Sequence, residues 1–390
     1  MKKNILLIVQ NNSFPFDKRV YREATSLKEN GYNVFVICPR SNHDIESKLI
    51  HEDINVRRYK DHLAKGGIVS YFLEYASSVV KIFFLFLQSA FKNKIKIVHV
   101  ANPPDFFWPV ALVCKALGIK FIYDQHDLAP EMAMVKFHNK FLKKLLMFNE
   151  KLTVKFADAI IVVNNNFKKR LIKQWNTKPD KITVVYNGPH ESFHVIENTG
   201  ISEKYKNKKV ILYIGLMTVN DNIEVIIKAA NQLINHNGRN DLHFILIGDG
   251  DVRKRMEELS QSFGLTENIE FTGIVNHNMV RKYLNIAEVC IAPDLPNGLN
   301  EYLTLVKVLE YMKTSKAFVA FKLKETMDFA NGAGLYAENE NDFAKKIIYL
   351  LENPDKAAEM GKLGNKIIND NYLWSHSEEK LLGLYNSLLN

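Results

Sequence analysis

The sequence predicts an α/β protein built from two parallel-sheet domains in tandem. Short apolar runs, loops and helical stretches alternate along nearly the whole chain, the pattern of a parallel sheet covered on both faces. The rhythm breaks once, at the polar stretch Gly188–Lys209, and then starts again. The 390 residues are enough for two units that each bury a core.

In the first half, strands are expected at Asn4–Val9, Asn33–Cys38, Ile54–Arg58, Lys96–Val100, Lys120–Asp124, Ala159–Val163 and Ile182–Tyr186. Asp17–Asn30 is helical by pattern and is closed by Gly31 where a helix C-cap prefers glycine. In the second half, strands are expected at Val210–Gly215, His243–Gly248, Asn268–Phe271, Val289–Ala292 and Ala317–Phe321. Tyr372–Leu389 reads as a final helix with Leu381, Leu384, Tyr385 and Leu388 at core spacing. The expected domains are 1–190 and 209–372, joined by a linker at 191–208.

Charge divides unevenly. Met1–His190 holds 30 Lys and Arg against 16 Asp and Glu, a balance of +14, and the remainder carries −5 of the total +9. Such an excess seeks nucleic acid, acidic phospholipid or a phosphorylated substrate. Cys38, Cys114 and Cys290 are far apart in apolar surroundings, as reduced core thiols of a cytosolic protein would be. The opening MKKNILLIVQNN reads as a first strand, its apolar run being too short for a signal peptide. Tyr71–Lys92 is apolar on most faces but is interrupted by Glu74, Lys81 and Gln88, short of an uninterrupted membrane span. It is either a well-buried helix or one partly exposed for lipid or another apolar partner.

Open parallel sheets bind ligands beyond the carboxyl ends of their strands, so the loops after strands are where chemistry is sought. The first loop, Gln10–Arg19, has no glycine and carries bulky Phe14 and Phe16, which disfavours a dinucleotide enzyme. Lys18 and Arg19 follow Asp17 at a helix start, where cations are unfavourable; an anionic substrate group or a solvated charged turn would account for them. The loop Tyr123–Glu131 holds His126, suited to bonding a sugar hydroxyl or exchanging a proton, while Asp127 and Glu131 have a capping role as the rival reading. Gly248-Asp249-Gly250 is either a turn presenting N–H groups to a nucleotide or an ordinary tight turn. In Asp294–Met312, Leu305, Val308, Leu309 and Met312 form a core stripe, and Lys307 and Glu310 project away from it. The loop leading into that helix suits phosphate, with Lys307 adding charge and Glu310 accepting from a ribose diol. The rival is an exposed Lys–Glu pair worth a few tenths of a kcal/mol.

Phe14–Arg40, ANPPD (Ala101–Asp105), YDQHDLAPE (Tyr123–Glu131), ILIGDGDV (Ile245–Val252) and KVLEYM (Lys307–Met312) carry a resemblance over nearly the whole chain. In these residues the chain resembles family 4 glycosyltransferases of the two-domain GT-B fold, particularly the bacterial branch that builds surface polysaccharides. The resemblance implies two Rossmann-like domains facing across a cleft, with residues 373–390 returning to the first domain. It implies a retaining, metal-independent transferase moving a sugar from a nucleotide diphosphate sugar, UDP favoured, to a lipid-linked or oligosaccharide acceptor. The implied catalytic residues are His126, Asp127, Lys307 and Glu310. Donor residues would be Gly215, Gly248, Asp249, Gly250, Arg253, Glu301, Tyr302, Leu303, Thr304, Lys307 and Glu310; acceptor residues would be Phe14, Asp17, Lys18, Arg19, Asp105 and His126.

Asp249-Gly250-Asp251 coincides with the glycine turn, so no metal site and no cofactor are expected. Two departures stand out. Tyr302 occupies the place of a second glutamate, with Glu301 adjacent, and Gly215–Asn222 lacks the Arg and Lys of many members, leaving Arg253 or Lys254 as substitutes. The expected location is cytoplasmic, peripheral at the inner face of the plasma membrane. Lys136, Lys140, Lys143, Lys144, Lys151 and Lys155 recur at helical intervals and suit contact with an anionic bilayer. No nucleic-acid module is recognisable. The alternative function is a nucleotide-sugar epimerase of the same fold.

Overall fold

The computed structural model describes residues 3–41, 46–61 and 67–390. The chain divides into two compact units, Met1–Asn187 with Ser377–Asn390, and Gly188–His376.

The first unit holds an eight-stranded sheet of β1 (Asn4–Ile8), β2 (Asn33–Pro39), β3 (Lys48–His51), β4 (Ile54–Tyr59), β5 (Ile97–Ala101), β6 (Lys120–Gln125), β7 (Ala159–Val162) and β8 (Ile182–Val184). Their order is β3-β4-β2-β1-β5-β6-β7-β8. All pairs are parallel except β3 with β4. β5 and β7 are buried throughout, as continuous apolar strands covered on both faces must be. β3 was not expected: its residues are exposed or half-buried, so the edge strand lacks the apolar run that marks the others.

The β1-to-β2 connection runs one way across the sheet, and those from β4 through β8 run the other. Right-handed crossovers therefore place the helix Lys18–Glu29 on one face and Ile68–Asn93, Trp108–Ala116 and Lys140–Phe156 on the opposite face. Asp17 and Asn139 cap two of these helices by accepting the N–H of Val20 and Leu142. Leu73–Asn93 is, among the described residues, the one helical stretch long and apolar enough to cross a membrane by length and composition. Ile82 and Phe86 on it are fully buried. The side chains of Tyr71 and Phe72, part of the expected apolar segment, lie outside the described residues. Ser377–Asn390 belongs to this unit, where Tyr385 is buried against Tyr32 with ring centroids 5.8 Å apart.

The second unit is a parallel sheet of β9 (Lys209–Ile214), β10 (Leu242–Ile247), β11 (Ile269–Gly273), β12 (Val289–Ala292), β13 (Phe318–Phe321) and β14 (Gly334–Ala337), in the order β11-β10-β9-β12-β13-β14. β14 escaped the sequence reading because four residues, one of them glycine, give no run to recognise. Residues 191–208 belong to this unit and include the short helix Thr199–Lys204. Strand order reverses between β1 and β5 in one sheet and between β9 and β12 in the other. The crevices beyond those carboxyl ends are where ligands bind in such sheets. All three cysteines are buried; burial pushes the Cys290 thiol up to about 12 and raises Cys114 as well, so both stay protonated.

Candidate functional site

In the first unit, Arg19 is buried at the centre of a polar cluster. Its Nη2 donates to Asp124 Oδ1 at 3.1 Å, and its Nη1 donates to the Val185 carbonyl and Asn187 Oδ1, both at 2.8 Å. Its Nε lies 3.1 Å from Glu23. Asp124, near the end of β6, also receives His126 Nε2 at 2.6 Å and His99 Nε2 at 3.2 Å. A carboxylate only accepts, so His99 carries its hydrogen on Nε2, while His126 Nε2 is shared between Asp124 and the Arg19 Nε–H that donates to it at 2.8 Å. His99 Nδ1 then accepts from the Tyr385 hydroxyl at 2.7 Å.

Burial opposes the Asp124 charge, yet Arg19 and His126 hold its carboxyl well below the usual range. Burial, reinforced by Asp124, raises Glu23 well above it. The two acids are therefore pushed apart, Asp124 toward its charged form and Glu23 toward its neutral one. Burial also lowers His99, which is neutral. Glu23, Asp124 and His126 are spaced to ligate a metal ion, but Arg19 Nε stands within 3.2 Å of Asp124, 3.1 Å of Glu23 and 2.8 Å of His126, where such an ion would sit.

The segment after β5 templates the loop that bears His126. Asn102 Oδ1 accepts from the backbone N–H of His126 at 2.6 Å and of Asp127 at 3.0 Å. Its Nδ2 donates to Asp105 Oδ1 at 2.9 Å and the Asp127 carbonyl at 2.8 Å. Asp105 is buried and accepts from the Tyr123 hydroxyl, while its Oδ2 has no hydrogen-bond partner. Burial first, then the Glu150 charge, push its carboxyl up to about 7. An acid raised by folding contributes stability at low pH that is lost as pH rises from its unfolded value, roughly 4, through 7. Buried His99 acts with the opposite sign below its own unfolded value. The difference in urea-unfolding free energy between the wild type and Asp105→Asn should therefore fall between pH 4 and 7 and level off above. A difference independent of pH would refute the assignment.

Sequence-derived acceptor residues fall into separate places. Phe14 is closed in the core against Tyr21 and His51 and has no surface for a ligand. Arg19 is engaged by the Asp124 carboxylate and by Glu23, so its cation answers to a buried acidic pair rather than to a substrate anion. Asp17 is a helix cap, Lys18 is exposed, and Asp105 is a buried support. His126 is the member that combines partial exposure with fixed orientation. Asp127 follows it, its carboxyl raised by burial.

In the second unit, the glycines of the β9 and β10 loops have a packing reason. A Cβ on Gly248, at φ +136°, would lie 1.8 Å from the Gly215 carbonyl oxygen, and one on Gly250 would lie 2.3 Å from that of Met217. A Cβ on Gly215 would meet the Tyr213 hydroxyl at 2.7 Å and Lys307 Cε at 3.2 Å. The turn's N–H groups serve the protein: Gly248 donates to Gly273 at 3.0 Å, and Gly250 to the Asp249 side chain at 2.8 Å. Gly-Asp-Gly is thus the product of close backbone approach, and the expectation that its Gly248 and Gly250 amides face a nucleotide is corrected. Arg253 is held by Glu257 at 2.7 Å, with Asp249 at 3.5 Å and the Phe271 carbonyl at 3.4 Å.

The helix Val306–Lys313 begins beside this loop, and no side chain caps it. Leu305, Val308, Leu309 and Met312 are buried as the stripe required. Lys307 Nζ lies 2.9 Å from Asp294 and 3.7 Å from Asp221, and 4.8 Å from the Tyr213 ring centroid. Burial raises the Asp294 carboxyl, against the pull of Lys307. Asp221 is fixed by the Thr218 N–H at 3.0 Å and hydroxyl at 2.6 Å. Glu310 is half-buried on the same polar side. Glu301 accepts from the backbone N–H of Gly298 at 2.7 Å and so shapes the preceding loop. Tyr302 and Leu303 are half-buried in that loop, and Thr304 donates to Glu325 at 3.1 Å.

Sequence reasoning missed Glu23, His99, Asn102, Asp124, Asn187 and Tyr385 as members of the first cluster, and Tyr213, Asp221 and Asp294 as partners of Lys307. A histidine inside the otherwise apolar strand Ile97–Ala101 was the available signal for His99.

Comparison with known proteins gives the same answer at the level of family. A model described as Glycosyltransferase Family 4 matches residues 17–192, and one described as Glycosyl transferases group 1 matches residues 208–353. An uncharacterized glycosyltransferase of Methanocaldococcus jannaschii is 25% identical over 93% of this chain and 92% of its own length. Several other curated relatives are matched over only about half of their own length. Among solved structures, a sucrose-phosphate synthase from Thermosynechococcus elongatus superposes with a TM-score of 0.79 at 18% identity, covering 100% of this chain and 99% of that one. Anabaena HepE in complex with UDP and glucose gives 0.74 at 16% identity, covering 98% and 99%. The chain is a glycosyltransferase of family 4, with the two parallel-sheet units of the GT-B fold.

Proposed function

We propose that the chain transfers a sugar from a nucleotide diphosphate sugar, with a UDP-sugar favoured, to a lipid-linked saccharide in bacterial surface polysaccharide synthesis, retaining anomeric configuration. The observation that carries the donor reading is the uncapped start of Val306–Lys313 with Lys307 and Glu310 on its polar side. Free N–H groups of a first helical turn attract phosphate. The complex of HepE with UDP and glucose supports a nucleotide sugar as donor.

In this reading the diphosphate lies at the helix start, Glu310 accepts from the ribose hydroxyls, and Lys307 leans from Asp221, its longer contact, toward the leaving phosphate while Asp294 keeps it placed. The reading assigns no role to a metal ion: the helix start and Lys307 meet the charge that develops on the leaving group. His126, held through Nε2 by Asp124 and Arg19, serves the acceptor.

Two substitutions separate these roles. Glu310→Ala should weaken UDP binding by about 2–3 kcal/mol, the worth of charge-assisted hydrogen bonds, with the fold kept. His126→Ala should lower turnover while leaving UDP affinity near wild type. Calorimetry with UDP tests the first, and an unchanged affinity refutes the ribose assignment. Incubation of the wild type with a UDP-sugar and no acceptor tests the reaction class: equilibration of the sugar would make the protein an epimerase.

A further inference from the structure

Two helices on one face of the first sheet present surfaces that the core does not use. On Ile68–Asn93, the residues Leu73, Val80, Phe84 and Phe91 are 56, 56, 66 and 70% exposed. At 100° per residue they fall within an arc of about 40°, on a seam about 27 Å long. Ser78, Ile82, Phe86 and Ser89 on the opposite side are buried, so the seam is the outer edge of a packed helix. On Lys140–Phe156, Phe141 and Phe148 are 78 and 58% exposed, and Lys144, Lys151 and Lys155 are exposed with them. These five share an arc of about 80°. Lys143, by contrast, turns toward Glu131 at 3.9 Å, so the basic face is formed by Lys144, Lys151 and Lys155.

We propose that this face of the first unit docks on an anionic lipid bilayer, with the aromatic seam entering the interface and the lysines meeting phosphate headgroups. Phenylalanines interleaved with lysines on one helical arc suit a boundary that is apolar below and negative above. Exposed large apolar side chains in such a line mark an interaction site. The +14 balance of residues 1–190 supplies the complementary charge. Both helices reach the same face because the β4-to-β5 and β6-to-β7 connections cross the sheet in one direction. The proposal deepens the reading of a lipid-linked acceptor by giving the surface on which the enzyme would meet it.

Flotation of the full chain with vesicles of phosphatidylcholine alone or with phosphatidylglycerol tests it. Binding should require phosphatidylglycerol and weaken as salt rises, since the screening length shortens. Lys144→Glu, Lys151→Glu and Lys155→Glu together should reduce it at least about tenfold, given what each lysine contributes at an anionic surface. Phe84→Ser with Phe91→Ser should reduce it too. The matched control, Lys345→Glu, Lys362→Glu and Lys366→Glu on the second unit, changes net charge equally and should leave binding intact. UDP binding by calorimetry reports separately on the donor reading and should be unaffected in all three variants. No binding to anionic vesicles, or equal loss in the control, overturns the docking face and leaves the donor reading standing. An assembly of two chains dissolved by the phenylalanine changes would overturn it also, giving the seam to a second copy.

Discussion

Replacing Arg19 by alanine should destabilise the first unit by about 3–5 kcal/mol, the usual cost of breaking a buried ion pair from one side. The guanidinium meets Asp124, Glu23, the Val185 carbonyl and Asn187 at once. Its removal leaves a buried carboxylate without its cation and two acceptors without donors. Arg19→Lys should restore little, because one ammonium cannot reproduce a planar fork with this many partners. Lys18→Ala, one residue away but exposed, should lie within about 0.5 kcal/mol of wild type. Urea unfolding of the full chain resolves the point, with hydrogen exchange of β9 and β10 amides as a reference in the second unit. Equal stability of Arg19→Ala and wild type would show that the cluster does not depend on its cation.

A single methyl group at Gly248 should displace the loop that packs against Lys307, and with it the proposed donor site. The added carbon must displace the Gly215 carbonyl, now 1.8 Å from where it would sit, and alanine is strained at φ +136°. Overpacking of this kind costs about 1–3 kcal/mol, and the backbone strain adds to it. The functional loss should be larger than the stability loss, because Gly215 packs against Tyr213 and Lys307 and carries their positions with it. UDP affinity in Gly248→Ala should fall at least tenfold, whereas Gly264→Ala, whose Cβ would meet nothing within 4 Å, should leave affinity unchanged. Unchanged UDP affinity in Gly248→Ala would show that the loop contact does not set the position of Lys307.

Both results bear on what could be seen in the sequence. Buried parallel strands announce themselves as apolar runs, and so Ile97–Ala101 and Val289–Ala292 were found, whereas the half-exposed edge strand Lys48–His51 was not. The stripe of Leu305, Val308, Leu309 and Met312 was legible because helical spacing is local. The meaning of Arg19 was not, since its partners Asp124, Val185 and Asn187 lie more than a hundred residues away. Cations at a helix start invite an external anion, and only the fold reveals that the anion is internal. The glycines at 248 and 250 misled for the same reason. Their sequence fits a phosphate turn, and the contacts that demand them come from Gly215 and Met217 on another strand's loop. Lys307 was placed correctly on the polar side of its helix, but Asp294 and Asp221, which set its surroundings, follow from no spacing rule.

The return of Ser377–Asn390 to the first unit means that this unit is completed only after the second has been synthesised. Tyr385 caps His99 and packs on Tyr32, yet it is translated after the whole of the second unit. At about 5–20 residues per second, the intervening Gly188–His376 takes roughly 10–40 s to emerge. Throughout that interval the nascent first sheet has the sites of Tyr32 and His99 uncovered, and the buried charges of Arg19 and Asp124 lack their final wall. Residues 377–390 thus close the first sheet only after the second unit has been made, and the order of translation delays the mature charge cluster until then.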